Sequence, residues 1–477
     1  MASSGFVVPQ TSLQRIHDTA VRILAEVGIK TDHAALRDLL LGQGCFLNEG
    51  RLCIPADVVA ATVQSIPSVF SVYGRSTADS ILIGQDDRTY FSNTGIMSNI
   101  YDLESGEVRQ STIDDVRAST RLLDAMEYVD AVYVSLVDAT DMLPHMVTVS
   151  DFAAVLANTV KPLIGPGVTN RDEARAVVAM ARVMRDGDNE RLRRFPICVP
   201  FICPISPLTF PKDIAEALLV IAEAGLPLDV VSNPVMGMTS PYAIASTVAM
   251  GHAEVLAAAV MAQAISPGLP VLNQNTPSVA DMHSMVSTTG GPETGLIRTT
   301  VAQLSHYLGI PAFVHGHTSS TALDFQAADE KVRNALLIAS GRPAVLGGLG
   351  GMANVTLTSY ESILLDNEIY GAISRCLAGI QVDEDHLAFD VIAEPADSGN
   401  FMTSAHTVKH LRSGEIWRPK LAARQGLVGG VPASETSVDR ARAAARSLLA
   451  THEVDPLTDD IQAEIDSILI AYDESHR

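Results

Sequence analysis

The 477 residues are 47% hydrophobic and only 18% charged, which excludes a disordered or fibrous chain and supplies apolar material for a large core. With 33 Lys and Arg against 55 Asp and Glu, the net charge is −22, a balance that repels nucleic acid and anionic membrane surfaces. Five scattered cysteines (Cys45, Cys53, Cys198, Cys203 and Cys376) form no CxxC pair, so neither a disulfide framework nor a structural zinc site is expected, and a reducing cytoplasm fits best.

The first ten residues have neither the basic start nor the apolar core of a signal peptide. Residues 1–88 are expected to form a leading α+β extension. Ser12 caps a helix reaching Val27, with Ile16, Ala20, Ile23 and Leu24 on its apolar stripe. Helices at Ala34–Leu41 and 55–65 follow, then short strands near 69–73 and 81–83. From there the rhythm changes. Eight short apolar runs, 88–93, 128–137, 162–165, 196–203, Leu228–Ser232, 270–273, 311–315 and 343–346, alternate with longer helical stretches. Their centres lie roughly 30 to 43 residues apart, the spacing of βα units. Pro162, Pro196, Pro270, Pro311 and Pro343 open five of the runs; proline at a strand's first residue forfeits no ladder bond and stops the preceding helix. The runs are apolar throughout, as in strands covered on both faces. Residues 89–380 therefore read as a (β/α)8 TIM barrel, the catalytic domain. The Ala-rich stretch 243–265, interrupted by His252, Glu254 and Gln263, reads as a buried helix, and no membrane span is expected. Residues 381–477 form a C-terminal extension, turn-rich and acidic over 381–400, ending in a helical tail over 433–472.

Active sites of such barrels lie at the C-terminal strand ends. Those ends carry Phe91, Asn93, Ser135, Asp138, Phe201, Ser206, Ser232, Asn233, Asn273, Gln274, Asn275, His315, His317 and the glycine run 347–351. This rim holds no lysine or arginine, which excludes a Schiff-base enzyme and a basic phosphate site. His315-Gly316-His317 has the HxH form of metal-dependent hydrolases, but no histidine ends strands one to six, so no metal is expected there and the hydrolase stands as an alternative. His252 and Glu254 read as a buried hydrogen-bonded pair, and His406 and His410, four apart, as packing or capping residues. Asp281-Met282-His283 begins the DxHxxG pattern of corrinoid carriers, but Val286 stands where the glycine is needed; the chain is not expected to carry its own corrinoid.

Short words in order then point to one family. They include Ile205-Ser206-Pro207-Leu208, His252-Ala253-Glu254-Val255, Pro267-Gly268-Leu269-Pro270, Gly291-Pro292-Glu293, Asp324-Phe325-Gln326, Asp366-Asn367-Glu368-Ile369, His406-Thr407-Val408-Lys409-His410 and Trp417-Arg418-Pro419. In these the chain resembles the trimethylamine methyltransferase superfamily, in particular its members without pyrrolysine, which act on quaternary amines such as glycine betaine. The resemblance implies a barrel with terminal extensions and methyl transfer to Co(I) of a corrinoid (cobalamin) held by a separate partner protein, with no cofactor bound by this chain. It places His317 nearest the pyrrolysine position, as the catalytic residue. A permanent cation is commonly held by aromatic faces worth about 0.5 to 2 kcal/mol each, for which Phe91, Phe201 and Tyr101 are candidates. Asn93, Asn273, Asn275 and His315 complete the expected substrate site, with hydrogen bonds from Asn273, Asn275, His315 or His317 to any substrate carboxylate. Glycines 347–351 would let a corrin approach. A homo-oligomer is expected, and a non-catalytic quaternary-amine binding protein is the second alternative.

Overall fold

Strand and helix alternate eight times between Tyr90 and Leu377 in the computed structural model, which describes residues 8–84, 88–393, 400–424 and 435–477. The strands are β1 (Tyr90–Asn93), β2 (Val132–Tyr133), β3 (Leu163–Gly167), β4 (Cys198–Ile202), β5 (Leu228–Ser232), β6 (Val271–Asn275), β7 (Phe313–His315) and β8 (Val345–Leu349). The helices that follow them are α1 (Ile113–Ala125), α2 (Val147–Asn158), α3 (Arg171–Val183), α4 (Lys212–Ala224), α5 (Ile244–Ile265), α6 (Pro292–Leu308), α7 (Phe325–Ser340) and α8 (Tyr360–Leu377). The fold is α/β. Strands β2 to β6 form one curled parallel sheet in chain order, and β7, β8 and β1 form a second. Single parallel bridges, Ser92 with Ala131 and Asn273 with Ala312, link the edges of the two sheets.

Each expected apolar run overlaps one strand: β5 coincides with its run, β1, β2, β4 and β7 are shorter than theirs, and β3, β6 and β8 run two or three residues past the expected end. The prolines precede the strands by one or two residues instead of opening them. Having no N–H, they still accept through their carbonyls: Pro162 O takes Val132 N at 3.0 Å, and Pro311 O takes Asn273 N at 2.8 Å.

Two apolar layers hold the strands. Tyr90, Tyr133, Ile164, Val199, Leu272, Phe313 and Val345 cluster on one face with Phe70, Val72, Ile81 and Ile83 of the hairpin Phe70–Tyr73/Ser80–Ile83. That hairpin sits at the N-terminal strand ends, where Tyr73 N donates to Pro196 O at 2.8 Å. The other face packs against the helices. The first helix starts at Gln10, after Pro9, three residues earlier than a Ser12 cap would place it, and ends in a π turn, Ile23–Val27. It lies on α5, the one described helix long and apolar enough to cross a membrane; 83% of that apolar window is buried inside the fold. The expected tail is two helices, Ser437–Thr451 and Asp459–His476. Pro456 lies between them, where its missing N–H and ring prevent a continuous helix. Parts of the readings made for the first ten residues, for 381–400 and for 433–472 fall on 1–7, 394–399 and 433–434, outside the described residues.

Candidate active site

Successive side chains on a strand point to opposite faces, so at each strand end only alternate residues face the interior. On β7 these are Phe313 and His315, and His317 continues the row with its ring 5.3 Å from that of His315. On β6 it is Gln274, on β2 Tyr133, and beyond β1 Thr94. His315, His317, Gln274, Tyr133 and Thr94, together with Val231, Asn233 and Arg298, line a cavity of about 290 Å³ at the C-terminal strand ends, with Phe313 in the apolar layer below.

Arg298 comes from α6, not from a strand. It is 2% exposed. Its Nη1 donates to His315 O at 2.7 Å and to His317 Nδ1 at 3.0 Å, and Nε donates to Pro277 O at 3.3 Å. Among the described residues no carboxylate pairs with it, and Nη2 makes no hydrogen bond. Burial lowers its pKa to about 10, so it is a cation at neutral pH. Guanidinium only donates, so His317 Nδ1 is an acceptor and the ring proton is on Nε2, which donates to Thr94 Oγ1 at 2.9 Å. Burial first, then the Arg298 charge, holds both His315 and His317 well below the usual imidazole range, so both rings are neutral.

Gln274 Nε2 donates to Tyr133 Oη at 3.1 Å and to His315 Nε2 at 2.8 Å, leaving Gln274 Oε1 and His315 Nδ1 buried without partners. Tyr133 stacks on Phe201, ring centroids 5.6 Å apart at 18°, and Phe201 itself does not line the cavity. Asp229 on β5 is fully buried, and neither carboxyl oxygen has a well-formed hydrogen bond among the described residues; burial, outweighing the nearby Val230 N–H, pushes its pKa well up, so it is a neutral acid. A second small pocket beside β2 and β3 holds Asp151, raised to about 8 chiefly by burial despite bonds from Ser135 Oγ and Ala139 N.

The glycines within and just after β8 serve the protein's own packing. A Cβ at Gly347 would lie 2.6 Å from His315 Nδ1, and one at Gly348, whose φ is +122°, would lie 2.0 Å from Gly316 O. The space they open is filled by β7 and the loop after it, so the expectation that they admit a corrin is corrected.

The structure separates the residues expected to form the site. His315 and His317 line the cavity; Phe91, Asn93, Phe201, Asn273 and Asn275 do not. Phe91 packs on Tyr370 of α8 at 5.0 Å. Asn93 spends its amide on Tyr133 N, Tyr133 O and Thr94 O, tying β1 to β2. Asn273 Nδ2 donates to Ser305 Oγ of α6 at 2.7 Å, and Asn275 faces Val248 O of α5. The reason is parity: each of these four lies one residue out of step with the interior row. Tyr101 donates from its hydroxyl to Thr321 O, away from the cavity. His252 and Glu254 are not a pair. His252 Nε2 is 3.1 Å from His17 Nδ1, whereas Glu254 accepts from Ser206 Oγ, Leu208 N and Ser232 Oγ, pinning the loop after β4 and the end of β5 to α5. The rim expected to lack a cation contains Arg298, which the strand ends alone could not reveal. Its signal is its place in the helix row Gly295, Arg298, Ala302, Ser305, whose other members are small and core-facing. Both nitrogens of His317 are engaged, and a guanidinium lies 3.0 Å from Nδ1, which opposes a metal ion shared by the two histidines.

The sequence matches the family described as trimethylamine methyltransferase (MTTB) over residues 6–473. The chain is 31% identical over 461 residues to trimethylamine methyltransferase MttB of Desulfitobacterium hafniense, covering 96% of this chain and 92% of that protein. It is 26% identical over 465 residues to a glycine betaine methyltransferase of the same species, covering 97% of this chain and 96% of that one. Among solved structures it is similar to the monomethylamine methyltransferase MtmB of Methanosarcina barkeri, with a TM-score of 0.57 over 94% of this chain and 89% of that one; at 10% identity this speaks to the fold alone.

Proposed function

Because the chain belongs to the trimethylamine methyltransferase family, we propose that this methyltransferase moves a methyl group from a betaine-type quaternary amine to Co(I) of a corrinoid held by a separate protein. The carrying observation is Arg298, a buried cation without a counter-ion among the described residues, on the wall of a small cavity. An uncompensated buried charge costs several kcal/mol, and a substrate carboxylate offsets that cost. A betaine brings one, and its net charge is zero. A cationic donor without a carboxylate meets a site of like charge.

The acceptor supplies a Co(I) nucleophile, for which a quaternary ammonium already has a neutral amine as leaving group. No proton has to move at the nitrogen, and the neutral imidazoles and amides of the cavity suit that. This chain's residues bind and orient. The free Nη2 of Arg298 takes the carboxylate, the Tyr133 ring offers a π face to the trimethylammonium, and His317, its proton turned to Thr94, forms the wall beside the methyl and is the catalytic position. Enclosure excludes water and holds the in-line geometry. The corrinoid protein docks at the mouth, where the loops after β4 to β6 expose Ile205, Tyr242, Met282 and Met285 and the start of α7 exposes Phe325, the last 87% exposed; Met-rich apolar rims suit a repacking contact.

The same reading closes the two sheets through their edge bridges into one eight-stranded barrel, makes the enzyme a homo-oligomer and places it in the cytoplasm, where its five free cysteines stay reduced. The test is a donor panel assayed by methylcobalamin appearance. Transfer from betaines, abolished by His317→Ala, is the expected result. Betaine binding without transfer would leave a binding protein, and unchanged kinetics in His317→Ala would remove the role given to that residue.

A further inference from the structure

After α8 the chain leaves the strand-and-helix body. Leu377 lies beside Thr89, Pro311 and Pro343, at the strand starts, so this departure is at the opposite end from the cavity. Three short helices follow, Glu384–Leu387, Phe389–Ala393 and Ala405–Leu411, and no residue in them is buried. Ile380, Phe389 and Met402 are among the most exposed apolar residues of the described chain. A unit this small with no apolar core needs another source of cohesion, and metal ions commonly supply it.

Polar side chains converge where a core is missing. We propose that His386, His410 and Glu415, with Asp385 as fourth ligand, form a structural zinc site that cross-links the two arms of this segment. One ligand atom from each of His386, His410 and Glu415 lies within 4.8 Å of the other two, and Asp385, His406 and His410 meet the same limit. His410 Nε2 is buried without a hydrogen bond; Asp385 Oδ2 is 3.1 Å away but outside hydrogen-bonding geometry. Neighbouring ligands on a tetrahedral zinc lie ~3.3 Å apart, given Zn–N bonds near 2.0 Å. Glu415 Oε2 is 4.0 Å from His386 Nε2, within about 1 Å of that spacing.

The surroundings support these roles. His386 Nδ1 donates to Asp383 Oδ1 at 2.6 Å, which leaves Nε2 as the ligand atom, the carboxylate–histidine arrangement found behind metal-bound imidazoles. The cations nearby use the other carboxylate oxygens: Lys409 Nζ is on Asp385 Oδ1 and Arg375 Nη2 near Glu415 Oε1. His406 donates to the Asp385 carbonyl at 2.8 Å and packs on His410, ring centroids 4.1 Å apart, so it positions both. Two imidazoles and two carboxylates suit zinc better than magnesium or calcium, which favour all-oxygen shells.

The test uses the full chain made without a histidine tag, loaded with Zn²⁺ and dialysed against metal-free buffer. Metal analysis should find about one zinc per chain, and competition with a chromophoric chelator should show at least a tenfold loss of affinity in His410→Ala and in the milder Glu415→Gln. Amide hydrogen exchange over 384–393 and 400–416 should slow with Zn²⁺ and recover on chelation. Zinc retained equally by both variants would overturn the site. So would absence of zinc, including the case where protection of the segment tracks protein concentration, the mark of an interface with a second copy.

Discussion

Arg298→Met removes the guanidinium and keeps most of the volume and the apolar stem. If Nη2 holds a substrate carboxylate, the loss is a charge-assisted contact in a site 2% exposed to solvent, so screening discounts it little. Truncating one partner of such a buried pair costs about 2–5 kcal/mol; a central value near 3 kcal/mol corresponds to a ~150-fold fall in kcat/KM. The same substitution also takes a donor from His317 Nδ1 and from His315 O, which affects any donor molecule alike. The informative measurement is therefore a ratio. Methylcobalamin formation is followed with glycine betaine and with tetramethylammonium, which has no carboxylate, for wild type and variant. The betaine rate should fall by about two decades more than the tetramethylammonium rate, and Arg298→Lys should lie between, since an ammonium keeps the charge without the fork. An equal fall for both donors would refute the reasoning and reduce Arg298 to a clamp on the two histidines.

The wall residues and the strand clamps should respond in opposite ways. Gln274→Ala raises KM for the donor, whereas Asn273→Ala leaves KM unchanged and lowers unfolding free energy by about 1–3 kcal/mol in urea titrations, the loss of a buried hydrogen bond. Met285→Glu or Phe325→Glu slows transfer to the corrinoid protein by about tenfold or more but leaves transfer to free cobalamin within about twofold, as expected when a rim contact is lost and the cavity is intact. Asp151 has a folded-state pKa of about 8, above the ordinary 3.8, so between those values the folded chain holds more protons than the unfolded chain. Its contribution is therefore present at low pH and lost as pH rises towards 8, and Asp151→Asn should gain in Tm over wild type progressively across that range. His315 and His317 act with the opposite sign: their lowered values make stability fall as pH drops below 6.5, with no inflection in transfer rate from His317 between pH 7 and 8.

Much of the site's neighbourhood was legible and its membership was not. His315-Gly316-His317 stands out because strand-end positions two apart share a face, and both rings do line the cavity. The asparagines on either side of Gln274 are chemically as suitable as the glutamine, and only the phase of β6 distinguishes them. Asn93 and Phe91 fail for the same reason on β1. Tyr133 lay inside a ten-residue apolar run of which just two residues are strand, so its position could not be counted from a strand end. Arg298 is 17 residues before His315 in the chain and meets it only because α6 packs back across β6 and β7. The three histidines of the C-terminal segment were legible as a helical pair and a stray, since nothing in their spacing shows that the chain doubles back.

Apolar periodicity by itself determined the α/β alternation and the buried character of α5, and the ordered motifs carried the resemblance to the family, because these are properties of short windows and of ordered words along the chain. Which side chains face the cavity, that a helix delivers Arg298 to it, and that His386 meets His410 were decided only in three dimensions. Burial alternates with a period of two along a strand, so an error of one residue in phase exchanges wall for core, and phase is set by partners far away in the chain.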